Sequence, residues 1–217
     1  MLTIEKTVLP SPDQWEIIIE GMRNPMNSWD KMDSKAYYND DDDWDDKYVI
    51  GDADHGLMTK LAAGGPVHAK YRRMIPVYVT INAPLYWWKE FDTYKVGTVC
   101  NSCSTMHKIH SKEFTPDDFS NERLMTGFGA GILEVVVECL NARREAFLET
   151  NDKKWWWEII QLLPTSYNQK RTVMLNYEVL HNIYKWRRNH KLDEWHTFCD
   201  WIEGLPHSDL IIGGDAE

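Results

Sequence analysis

The chain is poor in cysteine: four in 217 residues, at positions 100, 103, 139 and 199, which is no disulfide framework for a protein of this size. Reduced thiols are the expected state. It has no apolar run approaching the ~18 residues that span a bilayer. Its first residues, Met1-Leu2-Thr3-Ile4-Glu5-Lys6, lack the basic start and apolar stretch of a secretory leader. These absences predict a cytoplasmic address and no membrane partner. An excess of positive charge is missing too: 24 Lys and Arg stand against 34 Asp and Glu, for a net charge of −10. Nucleic-acid backbone needs clustered cations, so it is excluded as a general partner. A small nucleotide needs only a local basic pocket and is not excluded. Neither a phosphate-binding P-loop nor the six-residue dinucleotide fingerprint occurs. Gly127-Phe128-Gly129-Ala130-Gly131 lacks the lysine and spacing of the former and reads as a helix entrance. With no internal repeat and no linker, residues 1–217 are expected to form one domain.

Aromatic residues are what the chain has in excess: eleven Trp and ten Tyr. They imply either a core built partly from large rings or ring-lined pockets for a flat ligand. Trp87-Trp88 and Trp155-Trp156-Trp157 are open to both readings, with core and subunit-interface packing ahead.

Hydrophobic spacing predicts a mixed, α+β chain. Ser11-Pro12 starts a helix with its apolar stripe at Trp15, Ile18, Ile19 and Met22, stopping before Asn24-Pro25. Residues 26–47, with the run Asp40 to Asp46, read as a solvated acidic loop. A second helix begins near Asp52 or Asp54, buries Leu57, Met58 and Leu61, and ends at Gly64-Gly65. Val77, Val79 and Ile81 alternate with polar partners as in a strand with one buried face, halted at Ala83-Pro84. Leu85 to Lys95 shows no clean period. The second half is expected to be mostly helical: one helix around Ile132 to Leu140, one from Trp155 to Leu163, a long one from about Thr172 through Trp186, and a last one through Leu192, Trp195, Cys199 and Ile202. Residues 205–217 read as a tail.

Two clusters carry chemistry in principle. Cys100, Cys103, His107 and His110 have the ligand types of a zinc site, but only three residues separate the cysteine pair from the first histidine, which is poor spacing. Two small thiols beside two surface histidines is the plainer reading. Cys100 or Cys103 as a nucleophile would need a nearby cation such as Lys108.

A stronger signal is the order of two separated blocks. The first holds His68, the strand ending at Ala83-Pro84, Phe91-Asp92-Thr93-Tyr94-Lys95 and Asn101-Ser102-Cys103-Ser104; the second holds Leu163-Pro164, Asn176, His181, Arg187-Arg188 and Glu194-Trp195. His68 stands fifteen residues before the Ala-Pro pair, Asn176 twelve past Pro164, and Trp195 seven past Arg188. In this order and spacing the sequence resembles the flavin-dependent thymidylate synthases over roughly residues 55–200.

The resemblance implies that family's single-domain α+β fold, a homotetramer, FAD as cofactor, and dUMP, methylenetetrahydrofolate and NADPH as substrates. The implied reaction methylates dUMP to dTMP, with the flavin carrying the difficult step. It assigns His68, Lys95, Asn101, Asn176 and His181 to the flavin, Ser104 to the substrate phosphate, and Arg188 or Arg187 to holding and activating the pyrimidine; it implies no metal. Several family positions differ here. Arg-His-Arg becomes Thr93-Tyr94-Lys95, the acid beside Asn101 becomes Ser102, the arginine after Ser104 becomes Met106, and Ile159-Ile160-Gln161 precedes Leu-Pro in place of an arginine. A lysine does not reproduce an arginine fork. The alternative is therefore a non-catalytic nucleotide-binding or scaffolding oligomer that keeps the fold. Lys95, Lys108, Arg143 and Arg171 are the cations that could replace the lost phosphate contacts.

Overall fold

Ser11 does what its sequence context predicts: in this computed structural model its hydroxyl accepts from the Gln14 amide while the Gln14 side chain accepts from the Ser11 amide. This reciprocal cap, with Pro12 in the first turn, fixes where the first helix begins. The structure describes residues 1–38, 46–124 and 127–213. The elements run β1 (Thr3–Val8), α1 (Pro12–Arg23), β2 (Lys35–Tyr37), β3 (Lys47–Val49), α2 (Asp52–Ala63), α3 (Lys70–Met74), β4 (Pro76–Pro84), α4 (Leu85–Phe91), β5 (Val99–Ser102), α5 (Gly127–Thr150), α6 (Lys153–Leu162), β6 (Asn168–Asn176), α7 (Tyr177–Arg187), α8 (Asp193–Glu203) and α9 (Asp209–Ile212). Four strands hydrogen-bond in the order β1-β4-β6-β5, and β2 pairs with β3. The chain is thus a mixed α and β protein, as its spacing predicts. Among the described residues no helix is long and apolar enough to cross a membrane.

Two compact units divide the chain. Unit 1 comprises Met1–Glu5, Thr80–Thr93 and Cys100–Thr172; unit 2 comprises Lys6–Val79, Tyr94–Val99 and Val173–Glu217. In unit 1 the α5–α6 pair encloses Leu133, Val137, Leu140 and Ile159 with Ile109, Phe114 and Phe119. There α4 buries Trp87, Trp88 and Phe91, which pack edge-on and tilted with ring centres 4.8–5.3 Å apart. The helix is only seven residues long and Asp92 to Lys95 lie beyond it, which is why Leu85 to Lys95 shows no single period.

Unit 2 is held by α7, against which α3, α8 and α9 pack, and by a buried ion pair. Arg23 closes α1 and donates from Nε to Asp54 Oδ1 at 2.5 Å, with both side chains under 4% exposed. The other Asp54 oxygen accepts from the Asp33 and Ser34 amides at 3.0 and 2.9 Å and from the Ser34 hydroxyl at 2.6 Å. Asp33 in turn accepts from the amides of Ala53 and Asp54 at the start of α2. One buried carboxylate thus ties α1, the turn before β2 and α2 together, and its surplus lone pairs are satisfied, as burial of a charge requires.

Four local expectations change. The helix expected from Thr172 is the strand β6 up to Asn176, and only then a helix; Val173 and Leu175 are buried while Thr172 faces out, a period of two. Asn176 marks the switch, its Oδ1 accepting from the Val179 amide as an N-cap. The segment read as an acidic loop contains β2 and reaches into β3, and Tyr48 of β3 stacks on Trp15 at 6.2 Å. Asp40 to Asp45 lie outside the described residues. The expected tail contains α9, where Leu210 and Ile211 are buried. In α2 it is Asp54, Met58 and Ala62 that are buried, with Leu57 and Leu61 half-exposed.

Candidate functional site

Unit 1 contains a cavity of about 480 Å³, lined among others by Asn82, Cys103, Ser104, Lys108, Lys112, Asp117, Asp118, Tyr167, Gln169 and Lys170. The volume is that of a small-molecule pocket. The wall from Cys103 to Lys112 leaves the edge strand β5 and is fixed from three sides. The Cys103 amide donates to the Lys170 carbonyl at 2.9 Å and the Gln169 amide group to the Cys103 carbonyl at 2.6 Å. Trp156 of α6 donates to the Met106 carbonyl at 2.9 Å, and Arg144 of α5 to the His110 carbonyl at 3.0 Å. A loop tied at both ends and its middle is pre-organised for a ligand.

Ser104 sits at the turn of this loop. Its Oγ accepts from the Met106 amide at 3.1 Å and the His107 amide at 2.8 Å. A hydroxyl has two acceptor positions and one proton. With both acceptor positions used, the remaining O–H can only donate, which suits a phosphate or carboxylate oxygen. Three ammonium groups accompany it. Lys112 pairs with Asp118, and Lys170 pairs with Glu5 at 2.7 Å. Lys108 has no ion pair or side-chain hydrogen bond among the described residues. Burial pushes the Tyr167 phenol above its ordinary pKa, with the Asp118 charge adding to the effect, so it too stays a donor at neutral pH.

Arg171 and Arg143 of unit 1 are committed. Arg171 donates to Gln169 at 2.9 Å and to Asp92 at 2.7 Å, and lies 4.3 Å over the Trp88 ring. Arg143 pairs with Glu158 and covers Trp155. Of the replacements considered from sequence, Lys108 is the one the fold brings to the Ser104 cavity. Asn101 is exposed on β5. Burial raises the Cys100 thiol pKa despite the opposing charge of Arg171, so Cys100 is no activated nucleophile. Among the described residues no three His, Cys, Asp or Glu side chains are grouped to hold a metal ion, so the Cys100–His110 cluster forms no zinc site there.

The remaining predicted residues belong to unit 2, most of them on or beside α7. Asn176 caps the helix through Oδ1, leaving its Nδ2 beside Gly97, where a built Cβ would stand 3.1 Å from it. Gly97 has φ +78°, a left-handed conformation that glycine adopts without strain. This close approach brings the loop carrying Lys95 to the start of α7. His68 and Lys95 are exposed. His181 Nδ1 lies 2.6 Å from the Ile211 carbonyl and so holds α9. Arg187 donates to the Tyr94 hydroxyl at 2.9 Å and lies 4.8 Å over Trp195. Arg188 pairs with Asp200 at 2.8 Å and Glu203 at 3.2 Å on α8.

Sequence reasoning missed most of the cavity's other polar members, Lys112, Asp117, Asp118, Tyr167, Gln169 and Lys170 among them. The one local signal was Thr115-Pro116-Asp117-Asp118, a capping box closing a single turn. It also missed the Arg23–Asp54 pair, whose partners are 31 residues apart.

No family model and no curated protein sequence matches the chain. Solved structures do. A crystal structure of thymidylate synthase X from Helicobacter pylori with FAD and dUMP is similar with a TM-score of 0.63 at 15% identity, over 97% of this chain and 96% of that one. A second structure of the flavin-dependent thymidylate synthase from the same organism, complexed with FAD and dUMP, gives 0.61 at 16% identity over 99% of both chains. At this identity the likeness is one of fold, and the fold of this chain is similar to that of the flavin-dependent thymidylate synthases.

Proposed function

We propose that this chain is a divergent flavin-dependent thymidylate synthase that binds dUMP through the Ser104–Lys108 cavity and methylates it to dTMP with methylenetetrahydrofolate and NADPH. The observation that carries the reading is the Ser104 hydroxyl, whose two accepted amides leave it a pure donor in the same cavity wall as the Lys108 ammonium, which has no ion pair among the described residues. That pair suits the phosphate of a nucleoside monophosphate better than a neutral ligand. Two similar structures are of proteins crystallised with FAD and dUMP, which supports the same ligand classes here.

For FAD the open polar groups are His68, Lys95 and Asn176 Nδ2, none of which has a side-chain partner among the described residues. An amide, an imidazole and an ammonium fit the polar edge of a flavin and one phosphate of its dinucleotide. FAD, when bound, supplies hydride for reducing the transferred carbon to a methyl group. The chain's own part is to position: Ser104 and Lys108 fix the phosphate, and Tyr167 and Gln169 offer hydrogen bonds to the rest of the nucleotide.

A second reading, a non-catalytic nucleotide-binding protein with the same fold, is favoured by one observation. Arg188 is neutralised by two carboxylates, and Arg187 is packed between Tyr94 and Trp195. Absorption of the purified protein between 300 and 550 nm, with FAD and then dUMP added, separates the two. A flavin band perturbed by dUMP, followed by dTMP formation with folate and NADPH, supports the enzyme. Calorimetric dUMP binding without any uptake of FAD sinks the enzyme and leaves the binder. Failure of dUMP to bind, with or without FAD, removes both.

A further inference from the structure

Three carboxamides line the cavity of unit 1: Asn82, Asn168 and Gln169. Two of them are engaged. Asn168 Oδ1 accepts from the Ser120 hydroxyl at 2.8 Å. Gln169 donates from Nε2 to the Cys103 carbonyl at 2.6 Å and accepts at Oε1 from Arg171 at 2.9 Å. Asn82 is half-buried and has no side-chain hydrogen bond among the described residues, so both ends of its amide are open to the cavity.

The strand decides where that amide points. Along β4 successive side chains alternate between faces. Ile81 and Ala83 are fully buried on one face, so Asn82 stands on the other. Two residues before it on the same face, the Thr80 and Thr172 hydroxyls hydrogen-bond across β4 and β6 at 3.0 Å. Just past the strand, the Leu85 amide donates to the Tyr167 carbonyl at 3.0 Å. β4 is an inner strand, with β1 on one side and β6 on the other. A side chain on such a strand is held more tightly than one on a loop.

A carboxamide offers a donor and an acceptor side by side. That is the complement of a base edge on which a carbonyl and an N–H are adjacent, and two parallel hydrogen bonds pair the two. Uracil presents such an edge at C4=O and N3–H. Asp117, also without an ion pair or side-chain hydrogen bond among the described residues, can only accept, which suits a sugar hydroxyl. The lysines can only donate, which suits the phosphate.

We propose that Asn82 reads the base of the bound nucleotide, donating from Nδ2 to the uracil C4 carbonyl and accepting the N3–H at Oδ1. This role rests on the nucleotide reading of the Ser104–Lys108 cavity and adds a specificity-determining residue to it. The α7 arginines are engaged by Asp200, Glu203, Tyr94 and Trp195, and Asn82 supplies the recognition of the ring edge that they do not. The contact grips N3 and C4 and leaves C5, the carbon to be methylated, uncovered.

Calorimetry with dUMP, N3-methyl-dUMP and 2-deoxyribose 5-phosphate separates recognition of the base from that of the phosphate. N82A weakens dUMP roughly tenfold. It leaves the sugar phosphate unchanged and unfolds at the wild-type denaturant midpoint, because Asn82 gives up no internal hydrogen bond. N3 methylation removes the donor on the base; it weakens binding to wild type at least tenfold and to N82A less than twofold. K108A weakens dUMP and the sugar phosphate alike. Wild-type affinity for dUMP in N82A overturns the role of Asn82, and so does an equal loss on N3 methylation in both proteins. Tolerance of the N3-methyl group by wild type overturns it however N82A folds. In each of those cases the K108A losses keep the cavity reading standing. Binding of neither dUMP nor the sugar phosphate by wild type overturns the cavity reading and Asn82 with it.

Discussion

The end of α7 in unit 2 commits both of its arginines, whereas the cavity of unit 1 commits two of its three lysines. At the α7 end Arg188 is held by Asp200 and Glu203, and Arg187 by Tyr94 and the Trp195 ring. In the cavity, Lys112 and Lys170 are likewise taken by Asp118 and Glu5, but Lys108 has no carboxylate partner among the described residues. In a chain with ten more acids than bases, a cation near the surface is expected to find a carboxylate. Among the described residues other lysines, Lys89 and Lys95 included, also have none, and Lys108 is set apart by sharing its cavity wall with a hydroxyl that can only donate. Matching an arginine to a family position says which residue stands there; the neighbours decide whether its charge is available to a ligand.

The sharpest contrast is between a cation used for structure and one that the proposed function assigns to binding. Removing Asp54 leaves Arg23 charged and buried without its partner, and D54A is expected to lose about 3–5 kcal/mol of unfolding free energy in a denaturant titration. K108A should stay within about 0.5 kcal/mol of wild type in the same titration. Its dUMP affinity, read by calorimetry, should fall roughly tenfold, about 1.4 kcal/mol. Equal stability losses in the two variants, or unchanged dUMP affinity in K108A, would erase the distinction.

Arg188 makes a smaller test. Its side chain is more than a third exposed and its pairs lie at the surface, where such pairs contribute little. R188A is expected to melt close to wild type and to bind dUMP equally well. A selective loss of dUMP affinity would show that Asp200 and Glu203 release Arg188 to the nucleotide, and that the α7 end is a binding site after all.

Much of the fold could be read from local spacing, because its signals are local. Ser11 and Pro12 specify α1, the alternation at Val77, Val79 and Ile81 specifies β4, and Gly204 closes α8. What could not be read depended on partners distant in sequence. The helix α4 is seven residues long and β2 and β3 are three residues each, all too short to show a clear period. The β6–α7 switch was legible in principle: Val173 and Leu175 keep a period of two up to Asn176, a good N-cap residue. The long apolar stripe through Trp186 masked it, and Trp186 is 70% exposed. For the site, the sequence offered Ser104 by resemblance and four substitute cations without a means of choosing. Only the contacts of Arg143 with Glu158 and of Arg171 with Asp92 remove two of them.

The smallest expected effect concerns a base that unit 2 keeps neutral. His207 follows the Pro206 carbonyl that accepts from Tyr177, has φ +53°, and meets the Trp15 ring edge-on at 5.6 Å. Burial lowers its pKa from the ordinary value of 6.5, with nearby Asp209 opposing and His55 assisting. The unfolded chain therefore takes up this proton at a higher pH than the folded one. The stability contributed by neutral His207 is complete above about pH 6.5 and is lost as pH falls through the lowered folded value. H207N tests this without disturbing the backbone, because asparagine also tolerates positive φ. Between pH 7 and pH 5 its stability should fall less steeply than that of wild type, measured by denaturant unfolding at fixed ionic strength. Parallel slopes would mean that the Trp15 edge does not exclude water from the imidazole, and that unit 2 is less tightly closed around its titrating groups than around the Arg23–Asp54 pair.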